Sequence, residues 1–239
     1  MCIRDSLCAS EKNFTREAQD AFAVRSYERA IAAAEAGSFN DEIVSVEVKS
    51  RKATNTIEVD EEPSRFLPEK IPTLRPAFSK EGTVTAANAS KLSDGAAAVV
   101  VMNEELAAQQ SAPVLARIIA SASHAQQPKW FTTAPVKAIA RAVEKAQLTI
   151  ADIDLFEINE AFAVVTMAAI EELKLDEAKV NVRGGAISLG HPIGCSGTRI
   201  LVTLVHALRQ TGKRYGCASL CIGGGEAVAV IVENPAASA

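Results

Sequence analysis

The chain has 239 residues, 48% of them apolar, and a formal net charge of −4, so it can bury a sizeable core and has no general attraction for nucleic acid or anionic lipid. Its apolar runs, such as Ala96 to Met102, fall well short of the roughly 20 residues a helix needs to cross a bilayer. These features predict a globular protein with no nucleic-acid and no membrane partner. The five cysteines, Cys2, Cys8, Cys195, Cys217 and Cys221, form an odd set without a basic-then-apolar leader, which predicts reduced thiols and a cytoplasmic setting. Neither they nor His124, His191 and His206 show the paired spacing of a metal site.

In chain order, Met1 to Ser6 has no periodicity, and a first helix is predicted from Thr15, a suitable N-cap, to Gly37, a suitable stop. Ile43 to Val48 alternates like a half-buried strand, and the charged, proline-rich stretch from Arg51 to Pro76 is predicted as surface loop. From Gly82 onward short apolar strands alternate with helices. Strands are predicted at Ala96 to Met102, Val114 to Ser121, Ile153 to Ile158, Val180 to Val182, Ala218 to Ile222 and Ala227 to Val232. Helices are predicted from about Thr133, after Asn159 and from about Gly194 to Gln210. Such alternation is the mark of an α/β layered fold, in which ligands usually sit just beyond strand ends.

Three strand-end segments carry candidate chemistry. Asn159 to Ala163 (Asn-Glu-Ala-Phe-Ala) stands where a strand hands over to a helix, so Asn159 either caps that helix or fixes a water or a substrate carbonyl. Gly184 to Gly197 is a glycine-rich turn entering a helix, with His191 placed near the helix's positive end, a field that favours the neutral, proton-accepting ring. The alternatives there are a histidine that merely satisfies a turn, or a phosphate loop, for which neither Gly-Lys-Ser/Thr nor the GxGxxG spacing is present. Cys221 to Glu226 (Cys-Ile-Gly-Gly-Gly-Glu) places a thiol at a strand end ahead of bare backbone whose N–H groups could face an oxyanion. A buried structural thiol is the alternative for Cys221 and the default for Cys195 and Cys217. Brought together, an amide, an imidazole and a thiol would make an acyl-transfer constellation.

The same three segments, in this order and spacing, resemble the thiolase family, in particular its biosynthetic acetoacetyl-CoA branch. A fourth, Gly82 to Ser90 followed by Asp94 to Ala97, is also similar, and the likeness runs from Arg16-Glu17-Ala18-Gln19-Asp20 to the C-terminal strand. The resemblance implies a thiolase-like layered fold (α-β-α-β-α in the complete enzyme) and a two-step acyl transfer: thiolysis of acetoacetyl-CoA, or condensation of two acetyl-CoA. It implies that His191 activates the nucleophile and, with a water held by Asn159, forms an oxyanion hole. Cys221 shuttles the α-carbon proton, and the Gly223 N–H belongs to a second oxyanion hole. It also implies that Ser90 touches the pantetheine arm, that Ala161, Phe162 and Phe131 line the acyl pocket, and that Tyr27, Ala86, Ala87, Ala89 and Ile187 fall where some relatives bind potassium. Coenzyme A is then substrate and product rather than resident cofactor, and the complete enzyme is a homodimer or homotetramer.

Against the family pattern, no Cys-Ser/Ala-Ser-Gly segment carries the nucleophile, neither at Cys2 nor at Cys8. The expected organisation is therefore a loop-domain remnant over 1–92 (1–6 foreign to the family), a closing piece of the first half over 93–113 and the second half over 114–236. A truncated chain of this kind would not turn over. The competing readings are a non-catalytic CoA- or lipid-binding protein on the same fold, and a degradative thiolase for longer chains. A pure binder needs none of His191, Cys221 and Asn159.

Overall fold

The computed structural model describes residues 2–51 and 53–237, without the side chains of Cys2 and Ile3. Met1, the first residue of the segment expected to be foreign, and Lys52, within the expected loop, lie outside the described residues.

A four-stranded sheet organises the second half of the chain. Its strands are β3 (Arg117–Ala125), β4 (Leu155–Ile158), β5 (Tyr215–Ile222) and β6 (Glu226–Glu233), in the order β3-β6-β5-β4. β6 runs antiparallel to both neighbours, while β4 and β5 are parallel, with Ile158 opposite Ser219. Helix α4 (Ala134–Lys145) covers one face through Ala138, Ile139, Ala142 and Val143, a stripe at helical spacing that meets Phe156, Ala229 and Ile231. Helix α7 (Ser196–Thr211) covers the other through Ile200, Leu204 and Leu208, against Leu155, Ala218 and Val232. All four residues of β4 are buried because layers lie on both of its faces. α7 ends at Gly212, left-handed, with the Lys213 N–H donating to the Leu208 carbonyl at 2.9 Å.

Around this core, α2 (Arg16–Glu35) starts at the expected cap, where the Thr15 hydroxyl accepts from the Ala18 N–H, and Gly37 turns away at φ +69°. Its buried stripe, Gln19, Phe22, Ala23, Ser26, Tyr27, Ala30 and Ala33, packs on α5 (Ala163–Leu173) and the short α6 (Ala186–Leu189). Among the described residues no helix is long and apolar enough to cross a membrane.

Several expectations need correction. Residues Cys2–Glu11 form a helix, α1, although their sequence lacks an apolar period; Cys8 and Ala9 dock on Val164 and Ala168 of α5, and that contact supplies what the pattern does not. The predicted half-buried strand Ile43 to Val48 is instead β1 (Val46–Lys49), exposed at every residue, paired with β2 (Thr54–Ile57) inside the stretch expected to be loop. Ala96 to Met102 is no strand: it pairs with neither edge of the sheet, and Val100 is 86% exposed. A run of β-formers becomes a strand only where a neighbour takes its N–H and C=O groups. Val180 to Val182 reduces to single bridges, Val180 to Phe156 and Val182 to Gly184. A short helix, α3 (Glu104–Gln109), capped by Asn103, precedes β3, which begins three residues later than expected.

Candidate functional site

Asn159 follows β4 directly, and its backbone N–H donates to the Ser219 carbonyl on β5, two residues before Cys221. It does not cap the following helix: the N-cap of α5 is Phe162, which makes no side-chain cap bond. The Asn159 amide instead faces His191, Nδ2 to Nε2 at 3.3 Å. The imidazole's other nitrogen, Nδ1, lies 2.6 Å from Ser196 Oγ, and that hydroxyl donates to the Pro192 carbonyl at 3.1 Å. With the Ser196 proton committed to Pro192, Nδ1 carries the ring proton and Nε2 presents its lone pair to the amide. Asn159 Oδ1 is buried without a partner. Exchanging the amide's O and N leaves the other atom unpaired, so in either orientation one polar group of Asn159 is available to a ligand or a water.

The turn that presents His191 depends on Gly190, at φ +95°, where a Cβ would also strike the Ser93 hydroxyl. The His191 N–H donates to the Lys91 carbonyl at 2.9 Å, which ties this turn to the 82–91 segment. Burial, and secondarily the Arg199 guanidinium, push the His191 pKa down, so the ring is neutral near pH 7. The direction matches the sequence expectation, but the leading cause is desolvation rather than the helix end. A cleft of about 400 Å³, lined by Leu92, Ser93, Asp94, His191 and Ile193, opens on the imidazole. A larger hollow of about 510 Å³ lies between α7 and the open face of β5, β6 and β3, lined by Ile200, Leu201, Val228 and Val230, and it reaches none of the candidate residues.

Cys221 is half-buried near the end of β5, and burial pushes its thiol up to about 12. Among the described residues no hydrogen bond joins this thiol to the imidazole. Gly223, Gly224 and Gly225 form the three-residue turn between β5 and β6; Gly225, at φ +109°, passes so close to the Gln126 carbonyl that a side chain would not fit. The Gly223 carbonyl and the Pro128 carbonyl both accept from Arg4 Nη1 of α1, at 2.7 and 2.8 Å, and the same guanidinium lies 4.9 Å over the Phe131 ring. Phe131 and Gly223 are thereby brought to one place, while Phe131 itself is buried.

Ser90, Ala161 and Phe162 also converge. The Ser90 N–H donates to the Ala161 carbonyl at 3.1 Å, Ala89 bridges Phe162, and the Ala163 N–H donates to the Asn88 carbonyl at 2.9 Å. The Phe162 ring meets Phe78 edge-on at 6.3 Å. Of the residues expected around potassium, Ile187 packs with Tyr27 in the α2–α5–α6 cluster, and the Tyr27 hydroxyl donates to Glu62 at 2.9 Å. Ala87 is buried and its N–H donates to the Thr85 hydroxyl. The carbonyls of Ala86 and Ala89, however, both accept from the Lys91 ammonium, at 2.5 and 3.2 Å, so this arrangement does not fit a free potassium ion. Among the described residues no group of three or more His, Cys, Asp or Glu is placed to hold a metal ion.

Sequence reasoning passed over the groups that hold these residues in place. Asn181, at φ +48°, clamps the end of β4: its Oδ1 accepts from the Ile158 N–H, while its Nδ2 donates to the Ile158 carbonyl and to Glu160. Glu160, fully buried, accepts from Ser26, Asn181 and the Ile187 N–H, fixing the Gly184–Ser188 turn ahead of His191. The only hint in the sequence was its place beside Asn159. Glu157 on β4 faces Arg199 on α7 at 3.6 Å, and burial outweighs that cation, raising its pKa to about 8.

The family profile for the thiolase C-terminal domain matches residues 112–234, and that for the thiolase N-terminal domain matches 1–105, so the likeness also takes in the residues ahead of Arg16. A probable acetyl-CoA acetyltransferase of Dictyostelium discoideum is 51% identical over 95% of this chain and 55% of its own length. The acetyl-CoA acetyltransferase of Escherichia coli (strain K12) is 50% identical over 95% of this chain and 58% of its own. The crystal structure of the Bacillus anthracis acetyl-CoA acetyltransferase superposes with a TM-score of 0.94 at 44% identity, over 96% of this chain and 59% of that one. Human mitochondrial 3-ketoacyl-CoA thiolase gives 0.90 at 41%, over 97% and 59%. The chain spans a little over half the length of these relatives, and across that span it belongs to the thiolase family.

Proposed function

We propose that this chain provides the imidazole, amide and proton-shuttle thiol of an acyltransferase that cleaves acetoacetyl-CoA with coenzyme A, or condenses two acetyl-CoA in reverse. The observation that carries the reading is the relay Pro192–Ser196–His191–Asn159, which leaves a basic Nε2 beside a buried, unpaired amide atom.

In the thiolysis direction, His191 Nε2 takes the proton of a nucleophilic thiol, whose sulfur attacks the 3-keto carbon. The C–C bond breaks, its electron pair goes to the acetyl-CoA carbanion, and Cys221 delivers the proton that carbanion needs. A thiol held up near 12 keeps its proton at neutral pH, which suits it to this acid step. Cys221, now a thiolate, takes the thiol proton of coenzyme A, whose sulfur attacks the acetyl-enzyme; acetyl-CoA is released and the departing enzyme thiolate regains its proton from His191. His191 with a water held by Asn159, and the Gly223 N–H, serve the two oxyanions; Ser90 faces the pantetheine arm; Ala161, Phe162 and Phe131 bound the acyl group. The sequence contains no Cys-Ser/Ala-Ser-Gly segment, and Cys8 and Cys217 are sealed in the interior, so neither of these two thiols is the nucleophile of the first step. The names of the relatives favour short acyl chains.

The test joins this chain to the preceding residues of the E. coli relative and measures CoA-dependent loss of acetoacetyl-CoA. Cleavage is expected, falling by about 100-fold or more in His191→Ala and in Cys221→Ala, the range for loss of a general acid or base. A folded hybrid that binds coenzyme A without cleaving would contradict the proposal.

A further inference from the structure

Lys91 does something no motif assigns to it. Its stem folds back over its own loop, and its ammonium donates to the carbonyls of Ala86 at 2.5 Å and Ala89 at 3.2 Å. The same nitrogen lies 5.9 Å from the centroid of the Tyr27 ring, within reach of a cation–π attraction. Tyr27 is held flat on Phe66, with ring centroids 4.8 Å apart and planes 9° from parallel, and is anchored by its bond to Glu62. Two carbonyl oxygens and an aromatic face make a cradle for a single positive charge. Backbone carbonyls converging on one point repel one another unless a cation or donor sits between them, and here the chain supplies that charge itself.

The loop so held carries the site. Between Ala86 and Lys91, the Asn88 carbonyl binds the Ala163 N–H, Ala89 bridges Phe162, the Ser90 N–H binds Ala161 and the Lys91 carbonyl binds the His191 N–H. A shift of the loop would therefore move both the strand end with Asn159 and the turn with His191.

We propose that the Lys91 ammonium is a built-in monovalent cation: it occupies the carbonyl cradle of Ala86 and Ala89 in place of a potassium ion and positions the loop that holds His191 and Phe162. The inference stands apart from acyl transfer, because it concerns what fills the cradle rather than what the site catalyses. Burial lowers the Lys91 pKa, with Glu62 opposing the shift, as a desolvated ammonium facing few counter-charges should. Lysine is suited to the place because its compact charge ends a flexible stem with three donors. Lys91 is a positioning residue, since it acts through its loop.

The experiment compares melting of this chain and of Lys91→Ala in potassium and in sodium chloride at equal ionic strength, together with exchange of the His191 backbone amide. The unaltered chain should melt alike in both salts. Lys91→Ala should melt about 4 °C lower in sodium, its His191 amide should exchange faster, and potassium should recover part of both losses. Stabilisation of the unaltered chain by potassium over sodium, or a variant that loses nothing or regains nothing in potassium, would overturn the proposal. Should the variant fail to fold, crystals of the unaltered chain soaked in rubidium decide: an anomalous peak between the Ala86 and Ala89 carbonyls refutes the assignment, and Lys91 Nζ there without a peak supports it.

Discussion

Ala227 to Val232 and Ala96 to Met102 are two short runs of alanine, valine and one larger apolar residue, and in composition they are nearly interchangeable. The first is the centre of β6, with Ala227 and Ile231 sealed, and it is paired on both sides. The second begins at a fixed point, where Gly95 passes against Pro192 too closely for a side chain, and then runs unpaired, with Val100 and Val101 86% and 69% exposed. The difference lies in their neighbours. β6 has an edge on each side and α4 beneath it, and Ala96 to Met102 has neither. Apolar content records what a segment can bury; partners decide whether it does.

The sharpest way to break this comparison is to truncate one side chain in each region. Leu204 on α7 is fully buried against Leu155, Ala218 and Val232, so Leu204→Ala should cost about 2–5 kcal/mol through lost burial and an unfilled cavity. Val100→Ala should change stability by less than about 0.5 kcal/mol. Denaturant titration of the two variants checks both, and equal losses would mean that the exposed run is packed in solution.

The contrast also explains what could be read in advance. α4 and α7 were legible because each sets its apolar residues at helical spacing, α2 because Thr15 and Gly37 mark its ends, and β4 to β6 because each is a short apolar run that meets a partner within the chain. The exposed hairpin β1–β2 was legible only in its first strand, where Val46 and Val48 alternate with charged residues; β2 lies in the charged, proline-rich stretch expected to be loop, and all its residues are exposed. At the site, Asn159, His191 and Cys221 stood out as reactive types at strand ends. Asn181, Ser196 and Lys91 did not, because their roles come from contacts across 23, 5 and 5 or fewer positions that no periodicity encodes. Capping, the local reading of Asn159, failed for the same reason: the amide found a longer-range partner in His191.

A smaller effect should follow pH, and it belongs to the sheet half of the comparison. Burial raises Glu157 from its ordinary 4.5 to about 8 and Glu42 from 4.5 to about 7. A folded state that holds protons more tightly than the unfolded chain is stabilised below the unfolded pKa values, and that contribution is lost as pH rises through the folded ones. The melting temperature should therefore fall between about pH 5 and pH 8, and Glu157→Gln, which keeps the shape without the titration, should flatten the fall. A melting temperature that climbs over this range would show instead that Arg199 holds Glu157 ionised. Smaller again, Thr15→Ala removes the cap bond to the Ala18 N–H and should cost about 1 kcal/mol.

The smallest effect sharpens the comparison from its other side. Val46 and Val48 alternate with charged residues on β1, as a half-buried strand would, yet both are exposed, at 57% and 49%. If partners rather than composition govern burial, Val48→Thr should shift stability by no more than about 0.5 kcal/mol, since threonine keeps the β-branched shape and only a little apolar surface is at stake. The Asn55 partner on β2 should hold the register in either case. A loss near that of a core truncation would place an apolar surface against this hairpin. The same measurement on Val100 would then separate one shared covering surface, which makes both positions costly, from a surface that seats the hairpin alone.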